Sequence, residues 1–228
     1  MGIPTDHTMG HVGVPIPSLA VKLGPVPALG YDGVAGGEIM VKGNSVTPGY
    51  FKRDEITKET FDSSGFLKTG DIGRWNIDGN LVILDRTSNI FKLSQGEFVS
   101  PEKIEQIYNR SRYVAQCYVH GNPLKSCIVA VIVVDEEAIC KLGQQLNILQ
   151  SVEHLCEEEA IRRAVIADLA KIGREHGLLG YEIAKEIKLT TTHFTVENGQ
   201  LTPSLKNRRQ AICRDYKEDL DELYKHLR

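Results

Sequence analysis

The sequence predicts an α+β protein in two parts, and three observations support that prediction. Residues 1–86 are rich in glycine and proline and carry short β-prone segments between turn signals. After Arg86, long amphipathic helical patterns appear between apolar strands. No repeat or low-complexity tract interrupts either part. We therefore predict a small antiparallel β subdomain, a piece of a distorted barrel, over residues 1–86, and a compact α+β domain over residues 87–228.

The first part is predicted to be mostly β because its apolar segments are short and bounded by turns. The segments predicted as strands are residues 19–23, 38–42 and 81–84. The turn signals between them are Pro48-Gly49, Ser64-Gly65 and Asp78-Gly79. One helix is predicted over residues 54–61, where Asp54 is a good N-cap residue and acidic side chains follow.

The second part alternates strands with helices. Ser100-Pro101-Glu102 reads as an N-cap, a first-turn proline and an acid that suits the helix dipole. Strands are predicted at residues 114–119, 127–134 and 186–192, and helices at residues 136–145 and 157–175 and from about residue 208. The last helix carries a single apolar stripe made of Ile212, Tyr216, Leu220, Leu223 and Leu227.

Composition excludes several classes of function. The 228 residues carry a net charge of -3, which gives no sequence-wide attraction to nucleic acid, so no nucleic-acid partner is expected. The five cysteines are scattered and never two residues apart, which favours reduced thiols in an intracellular protein over a zinc or redox pair. The longest apolar run, residues 127–134, is too short to span a membrane, and the first residues given lack the charged-then-apolar layout typical of a signal peptide.

One pair of polar residues suits a nucleotide. Asp71 follows a Thr-Gly pair, and Asp85-Arg86 comes about fourteen residues later. A carboxylate can accept hydrogen bonds from two vicinal hydroxyls, and Arg86 offers a rigid fork of donors, which together suit a ribose. The alternative, which spacing alone favours, is that Asp71 and Arg86 form a structural ion pair or cap turns, because carboxylate–guanidinium pairs are common. Spacing alone leaves both interpretations open.

Two further loops contain chemistry-bearing residues. Gly96 and Glu97 lie just before a well-capped helix, where a glycine lets backbone approach a ligand closely, although an ordinary strand-turn-helix connection looks the same. Lys206 lies in a polar loop before the final helix, where a flexible ammonium can reach a phosphate. The neighbouring Arg208 and Arg209 also fit an ordinary solvated basic face, so this loop too has two interpretations.

Taken in order, these segments resemble the adenylate-forming superfamily, and most closely its eukaryotic-type long-chain fatty acid–CoA ligases. The resemblance covers almost the entire chain. Its segments are Gly10-His11-Val12-Gly13-Val14-Pro15, Gly37-Glu38-Ile39, Gly49-Tyr50-Phe51, residues 66–71, Asp85-Arg86, Asn89-Ile90-Phe91-Lys92, Gln95-Gly96-Glu97, and Leu201-Thr202-Pro203 with Lys206. Thr87 and Ser88 depart from the pattern, because basic residues are usual there. The length of residues 135–180 favours the long-chain branch.

The resemblance implies a role for each site residue. Asp71 would bind the ribose hydroxyls of ATP and of the acyl-adenylate, and Arg86 would assist it. Asn89 matches the hinge about which residues 87–228 would move as a C-terminal lid domain, while residues 1–86 would end the large adenylation domain. Lys206 would act as the catalytic lysine of adenylation. Gly96 and Glu97 would line the CoA channel.

The resemblance also implies the reaction and its partners. A fatty acid would react with ATP and Mg²⁺ to give acyl-AMP and pyrophosphate, and CoA would then displace AMP. The family's phosphate loop and fatty acid tunnel would lie upstream of Met1, so we expect this chain to need an N-terminal domain and to be inactive alone. No resident metal site is expected. The alternative is a non-catalytic nucleotide- or CoA-binding fragment. The expected location is the cytosol or the cytosolic face of the endoplasmic reticulum or another organelle membrane.

Overall fold

The computed structural model describes residues 8, 10–225 and 227. They form two compact units, Met1–Phe91 and Lys92–Arg228. Sheets and helices are present throughout, and the predicted α+β class is confirmed. The sequence division after Arg86 lies just before the structural boundary, and the assignment of the two parts to domains of a larger enzyme stays a prediction.

The first unit is built on a four-stranded antiparallel sheet in which the strand order follows the sequence. Its strands are β1 (Leu19–Gly24), β2 (Gly37–Gly43), β3 (Leu67–Trp75) and β4 (Leu81–Arg86). Helix α1 (Asp54–Thr60) connects β2 to β3. Arg53 is its N-cap residue, and Asp54 is its first helical residue. The prediction that Asp54 caps the helix was therefore off by one position.

Strand β3 was missed in the sequence because Thr69-Gly70 interrupts its apolar pattern. The strand tolerates the interruption because a register shift follows at Ile72/Gly73, where β3 pairs irregularly with β4. A side chain at Gly73 would place its Cβ 2.8 Å from the carbonyl oxygen of Val82. Only glycine permits this close approach of β3 to β4, and that approach fixes the register of the strand that holds Asp71.

The second unit is built on a three-stranded sheet. Strand β7 (Val114–Gly121) pairs antiparallel with β8 (Ile128–Val134), and β8 pairs parallel with β9 (Glu186–Thr190). Two short strands, β5 (Phe91–Lys92) and β6 (Phe98–Val99), pair across the turn that contains Gly96. The helices are α2 (Pro101–Tyr108), α3 (Glu136–Gln145), α4 (Val152–Glu157), α5 (Glu159–Glu175), α6 (Arg209–Asp215) and α7 (Lys217–Lys225).

Every residue of β8 is buried, so this strand forms the centre of the second unit. Val129, Val131 and Val133 pack in one apolar cluster with Ile212 and with side chains of α7. The alternate residues, such as Ile132, point to the opposite face because side chains alternate along a strand, and they are fully buried too. Helices therefore cover both faces of β8.

Two of the predicted helices differ from the structure in different ways. The helix predicted over residues 157–175 is α5, which begins two residues later because Glu158 is extended, and the short helix α4 before it was not predicted. The last predicted helix divides at Tyr216, whose φ of -103° and ψ of 19° end α6. The predicted apolar stripe survives the break, since Ile212, Leu220 and Leu223 lie in the core with Tyr216 and Leu227 packed against it.

Among the helices of the described residues, none has both the length and the apolar character that a bilayer crossing requires. The same residues contain no group of three or more His, Cys, Asp or Glu side chains arranged to hold a metal ion.

Replacing Ile132 by alanine tests the two-sided burial of β8. The change leaves a cavity in a closely packed strand, so we expect a loss of about 2–5 kcal/mol in the free energy of unfolding, measured by urea denaturation. Leu149→Ala is the control, because Leu149 is 83% exposed, and it should change stability by less than about 0.5 kcal/mol. Equal losses for the two variants would contradict this view of the core.

Candidate functional site

Asp71 and Arg86 face each other across neighbouring strands. They are direct partners in the β3–β4 register, and Arg86 Nε lies 2.8 Å from Asp71 Oδ1. The Asp71 side chain is 26% exposed and that of Arg86 is 54% exposed, so the pair remains open to solvent. The two residues form the ion pair that was one interpretation of the sequence. They also present oxygen acceptors and guanidinium donors at the surface, as the ribose-binding interpretation requires.

Thr69 and Gly70, which lie within β3, fix the position of Asp71. Gly70 has a φ of +73°, and its carbonyl oxygen accepts hydrogen bonds from both the backbone N–H and the hydroxyl of Thr87. The Thr69 hydroxyl donates to the carbonyl of Ile39 at 2.8 Å and accepts from the Asp71 N–H at 3.1 Å. Neighbouring strands therefore hold the backbone on both sides of the carboxylate.

The predicted hinge residue lies in a turn at the end of β4. Asn89 donates from its backbone N–H to the carbonyl of Arg86 at 3.0 Å, and from its side-chain amide to Asp85 Oδ1 at 3.2 Å. Asp85 is buried and also accepts the N–H of Arg86 at 2.6 Å. One buried carboxylate thus links Arg86 to Asn89. The hinge role of Asn89 stays a prediction.

The loop with Gly96 and Glu97 is a tight turn in the second unit. The N–H of Gly96 donates to Leu93, and the N–H of Leu93 donates to Glu97, which closes the turn. Ser94 and Gln95 also bond to the backbone of Lys125 and Ser126, in the connection between β7 and β8. Gly96 has a φ of +98°, a conformation that other residues rarely adopt. Both Gly96 and Glu97 are exposed.

Lys206 lies in a loop whose backbone is fixed and whose side chain is free. The N–H of Lys206 donates to the Thr202 hydroxyl at 3.1 Å, and its carbonyl accepts the N–H of Thr202 at 2.8 Å. The preceding Leu205 is 72% exposed and has a φ of +59°, which is strained for a branched side chain. Among the described residues, the Lys206 ammonium forms neither an ion pair nor a hydrogen bond.

A cleft of about 290 Å³ opens beside Lys206 in the second unit. Helix α2 forms one wall, through residues such as Glu102 and Gln106, and Cys117 of β7 forms part of the floor. Burial raises the pKa of the Cys117 thiol well above its ordinary value, and the nearby charge of Glu105 raises it further. Cys117 is therefore a neutral, packed thiol and not a nucleophile.

The sequence analysis missed the residue that holds this cleft together. Glu105 is only 6% exposed, and its carboxylate contacts Arg209, Asn207 and the backbone of Val119. The available signal was a glutamate on the apolar face of α2, next to Ile104, which indicates a buried partner. That partner lies about a hundred residues away in the chain, so helical periodicity could not identify it.

No protein-family model matches the chain. Over 225 residues, 98% of this chain, it is 43% identical to long-chain-fatty-acid–CoA ligase 5 of Rattus norvegicus, of which it covers 33%. Over 222 residues, 97% of this chain, it is 45% identical to long-chain-fatty-acid–CoA ligase 6 of Homo sapiens, of which it covers 32%.

The chain is a homologue of the long-chain fatty acid–CoA ligases. It spans about a third of the length of these relatives. Among solved structures, it matches the adenylation domain of carboxylic acid reductase from Segniliparus rugosus, determined with AMP and a co-purified carboxylic acid. That match has a TM-score of 0.80 at 37% identity and covers 93% of this chain and 32% of that one. The predicted recognition and α+β class are thereby confirmed.

Replacing Gly96 by alanine tests the tight turn that contains Gly96 and Glu97. A Cβ there would meet no atom closer than 3.9 Å, so the cost comes from the positive φ alone. We expect the free energy of unfolding to fall by about 1 kcal/mol, measured by urea denaturation. Gly180→Ala is the control, since it has open space and no positive φ, and it should leave stability unchanged or slightly raised.

Proposed function

We propose that this chain supplies part of the active site of an AMP-forming long-chain fatty acid–CoA ligase. The enzyme would join a fatty acid to ATP, releasing pyrophosphate, and would then transfer the acyl group from acyl-AMP to CoA. The observation that carries the proposal is the Asp71–Arg86 pair, which is open to solvent on adjacent strands of a chain homologous to these ligases. The adenylation domain of the reductase that this chain resembles was solved with AMP.

Asp71 would recognise the ribose of ATP and later of acyl-AMP. Its carboxylate can accept hydrogen bonds from the two vicinal hydroxyls, and charged acceptors form stronger bonds than neutral ones. Arg86 holds one carboxylate oxygen at 2.8 Å through Nε, which fixes the rotamer of Asp71. Its other guanidinium nitrogens could donate to the same nucleotide. The fixed backbone around Gly70 limits the motion of this acceptor.

Lys206 would act in the first step. The attack of the fatty acid carboxylate on the α-phosphate brings two anions together, and an ammonium placed there stabilises the developing charge. The Lys206 ammonium is suited to this task, because its backbone is held while its charge is not neutralised by another described residue. Withdrawing Lys206 after acyl-AMP forms would leave room for the CoA thiol.

The remaining predicted residues belong to the second step in this proposal. Movement about Asn89 would exchange the Lys206 loop for the loop of Gly96 and Glu97. That loop would then line the channel of CoA. The glycine keeps the turn narrow, and the exposure of both residues leaves the loop accessible to a ligand.

The proposal extends to the substrates and setting of the enzyme. Mg²⁺ would enter with ATP as its counterion, and an N-terminal domain would supply the phosphate loop and the fatty acid tunnel. The proposed setting is intracellular, in the cytosol or on the cytosolic face of the endoplasmic reticulum or another organelle membrane. Support comes from the five cysteines, which are all free thiols in the structure.

Replacing Asp71 by alanine tests nucleotide binding. The variant is assayed in a chimaera in which this chain replaces the matching third of the rat ligase. Loss of a charged acceptor for two hydroxyls should lower kcat/KM for ATP by about 10- to 100-fold, measured by pyrophosphate exchange. Asp78→Ala, which removes an exposed carboxylate from the β3–β4 turn, should change kcat/KM by less than about twofold. Equal effects of the two variants would exclude the ribose role.

Replacing Lys206 by alanine tests its assignment to the first step. In the same chimaera, we expect adenylation to slow by about 100-fold or more, because a stabilising charge is lost in the transition state. Conversion of preformed acyl-AMP to acyl-CoA should stay within about threefold of the parent, since the ammonium would have withdrawn. The control is Lys171→Ala, an exposed lysine on α5. Unimpaired adenylation in Lys206→Ala would refute the catalytic role.

A further inference from the structure

Glu105 is a buried acid with partners from two other parts of the chain. Its Oε1 accepts hydrogen bonds from the backbone N–H of Val119 at 2.7 Å and from Arg209 Nη2 at 2.6 Å. Its Oε2 lies 3.5 Å from the side-chain amide of Asn207. Glu105 therefore connects helix α2 to strand β7 and to the segment that follows the Lys206 loop.

Asn207 and Arg209 both flank Lys206, and each forms a second bond that fixes it to β7. Asn207 also donates to the carbonyl of Cys117 at 2.9 Å, and Arg209 also donates through Nη1 to the carbonyl of Val119 at 3.1 Å. The Arg209 guanidinium lies over the ring of Tyr118, 5.4 Å from its centroid. The residues immediately after and three places after Lys206 are thus fixed to the sheet.

The conformation of the loop requires such fixation. Leu205 holds a positive φ with its side chain exposed, a strained arrangement that persists only when surrounding contacts determine it. Those contacts come from Thr202 within the loop and from the Glu105 network at its exit. Lys206, whose backbone these contacts hold, is one of the residues that line the cleft.

We propose that Glu105 is a positioning residue for Lys206, acting through Arg209 and Asn207. Glu105 does not touch the reacting atoms in this proposal, which rests on the role proposed for Lys206. Its carboxylate fixes the position of the Lys206 backbone. The ammonium would therefore reach the α-phosphate from a defined backbone position. A displacement of such a group by about 1 Å can lower a rate by 100-fold, which gives a remote carboxylate a measurable effect.

The second unit contains a matched control for a purely structural role. Glu182 is buried to the same degree as Glu105, pairs with Lys103 of α2 at 2.7 Å and accepts the N–H of Leu179 at 2.9 Å. Its partners lie outside residues 201–209. Glu182→Gln and Glu105→Gln therefore each neutralise a comparably buried carboxylate, one that pairs with α2 and one that belongs to it. Only Glu105→Gln changes a contact with residues 201–209.

The first test is hydrogen exchange on the 228-residue chain, which does not depend on catalysis. The reporters are the N–H groups of Thr202 and Arg208, which donate to the carbonyls of Lys206 and Gln200 at 2.8 Å. In Glu105→Gln both should exchange at least about tenfold faster, whereas Glu182→Gln should leave them within about twofold. Equal acceleration by both variants, or none by either, would overturn the proposal.

A second variant covers the case in which Glu105→Gln fails to fold. Asn207→Ala removes one arm of the network and leaves the Glu105–Arg209 pair, so no buried charge loses its partner. It should also accelerate exchange at Thr202, by about threefold or more, while amides of α5 keep their parent rates. Unchanged exchange at Thr202 in Asn207→Ala would count against positioning through this arm.

The second test measures catalysis in the chimaera with the rat ligase. Glu105→Gln should lower kcat for adenylation by about tenfold with little change in KM for ATP, and should spare acyl transfer from preformed acyl-AMP. Combined with Lys206→Ala, it should add no further loss, because Glu105 acts through the lysine. Additive losses would indicate a structural role and refute positioning.

The two proposals fail in different ways. If Lys206→Ala leaves adenylation intact, the proposed function of the lysine is wrong, whatever Glu105 does. If Lys206→Ala abolishes adenylation while Glu105→Gln matches Glu182→Gln, the function stands and the positioning role is wrong.

Discussion

One buried carboxylate, that of Glu105, joins the parts of the second unit that lie far apart in sequence. It satisfies a backbone donor of β7 and the guanidinium of Arg209, and in return those partners keep its charge from being isolated in the core. Removing one partner of a buried charge costs about 3–5 kcal/mol of stability. This cost favours the arrangement in which α2, β7 and the segment after the Lys206 loop all stay in contact. Glu105 and Lys206 both line the neighbouring cleft.

The first unit also has a buried carboxylate beside its exposed polar residues. Asp85 is buried at the end of β4 and accepts hydrogen bonds from the N–H of Arg86 and the amide of Asn89. Its neighbour Arg86 then reaches Asp71 across the strand pair. In both units a buried acid holds the backbone, and an exposed polar group beside it is left available for a ligand.

Much of the architecture follows from local patterns in the sequence. Helix α3 was predicted with its observed limits, and in the structure the Asp135 side chain caps it by accepting the N–H of Ala138. Strand β8 was predicted to within one residue, because a strand buried on both faces is apolar at every position. The predicted secondary structure was wrong where tertiary contacts override the local sequence pattern. Strand β3 continues through Thr69-Gly70 because its neighbours supply the hydrogen bonds, and the last helix breaks at Tyr216, which packs edge-on against Phe194.

The sequence by itself determined the fold class and most of the longer helices and strands, because these depend on composition and periodicity along the chain. It also singled out Asp71, Arg86, Gly96 and Lys206 as candidates, although their roles came only from the resemblance to a known family. Only the tertiary structure decided that Asp71 and Arg86 are cross-strand partners, and that the Lys206 loop is anchored on Glu105. The physical reason is the range of the interactions. Helical and strand periods act over a few residues, whereas the Glu105–Arg209 pair joins residues 104 positions apart, which no local pattern records.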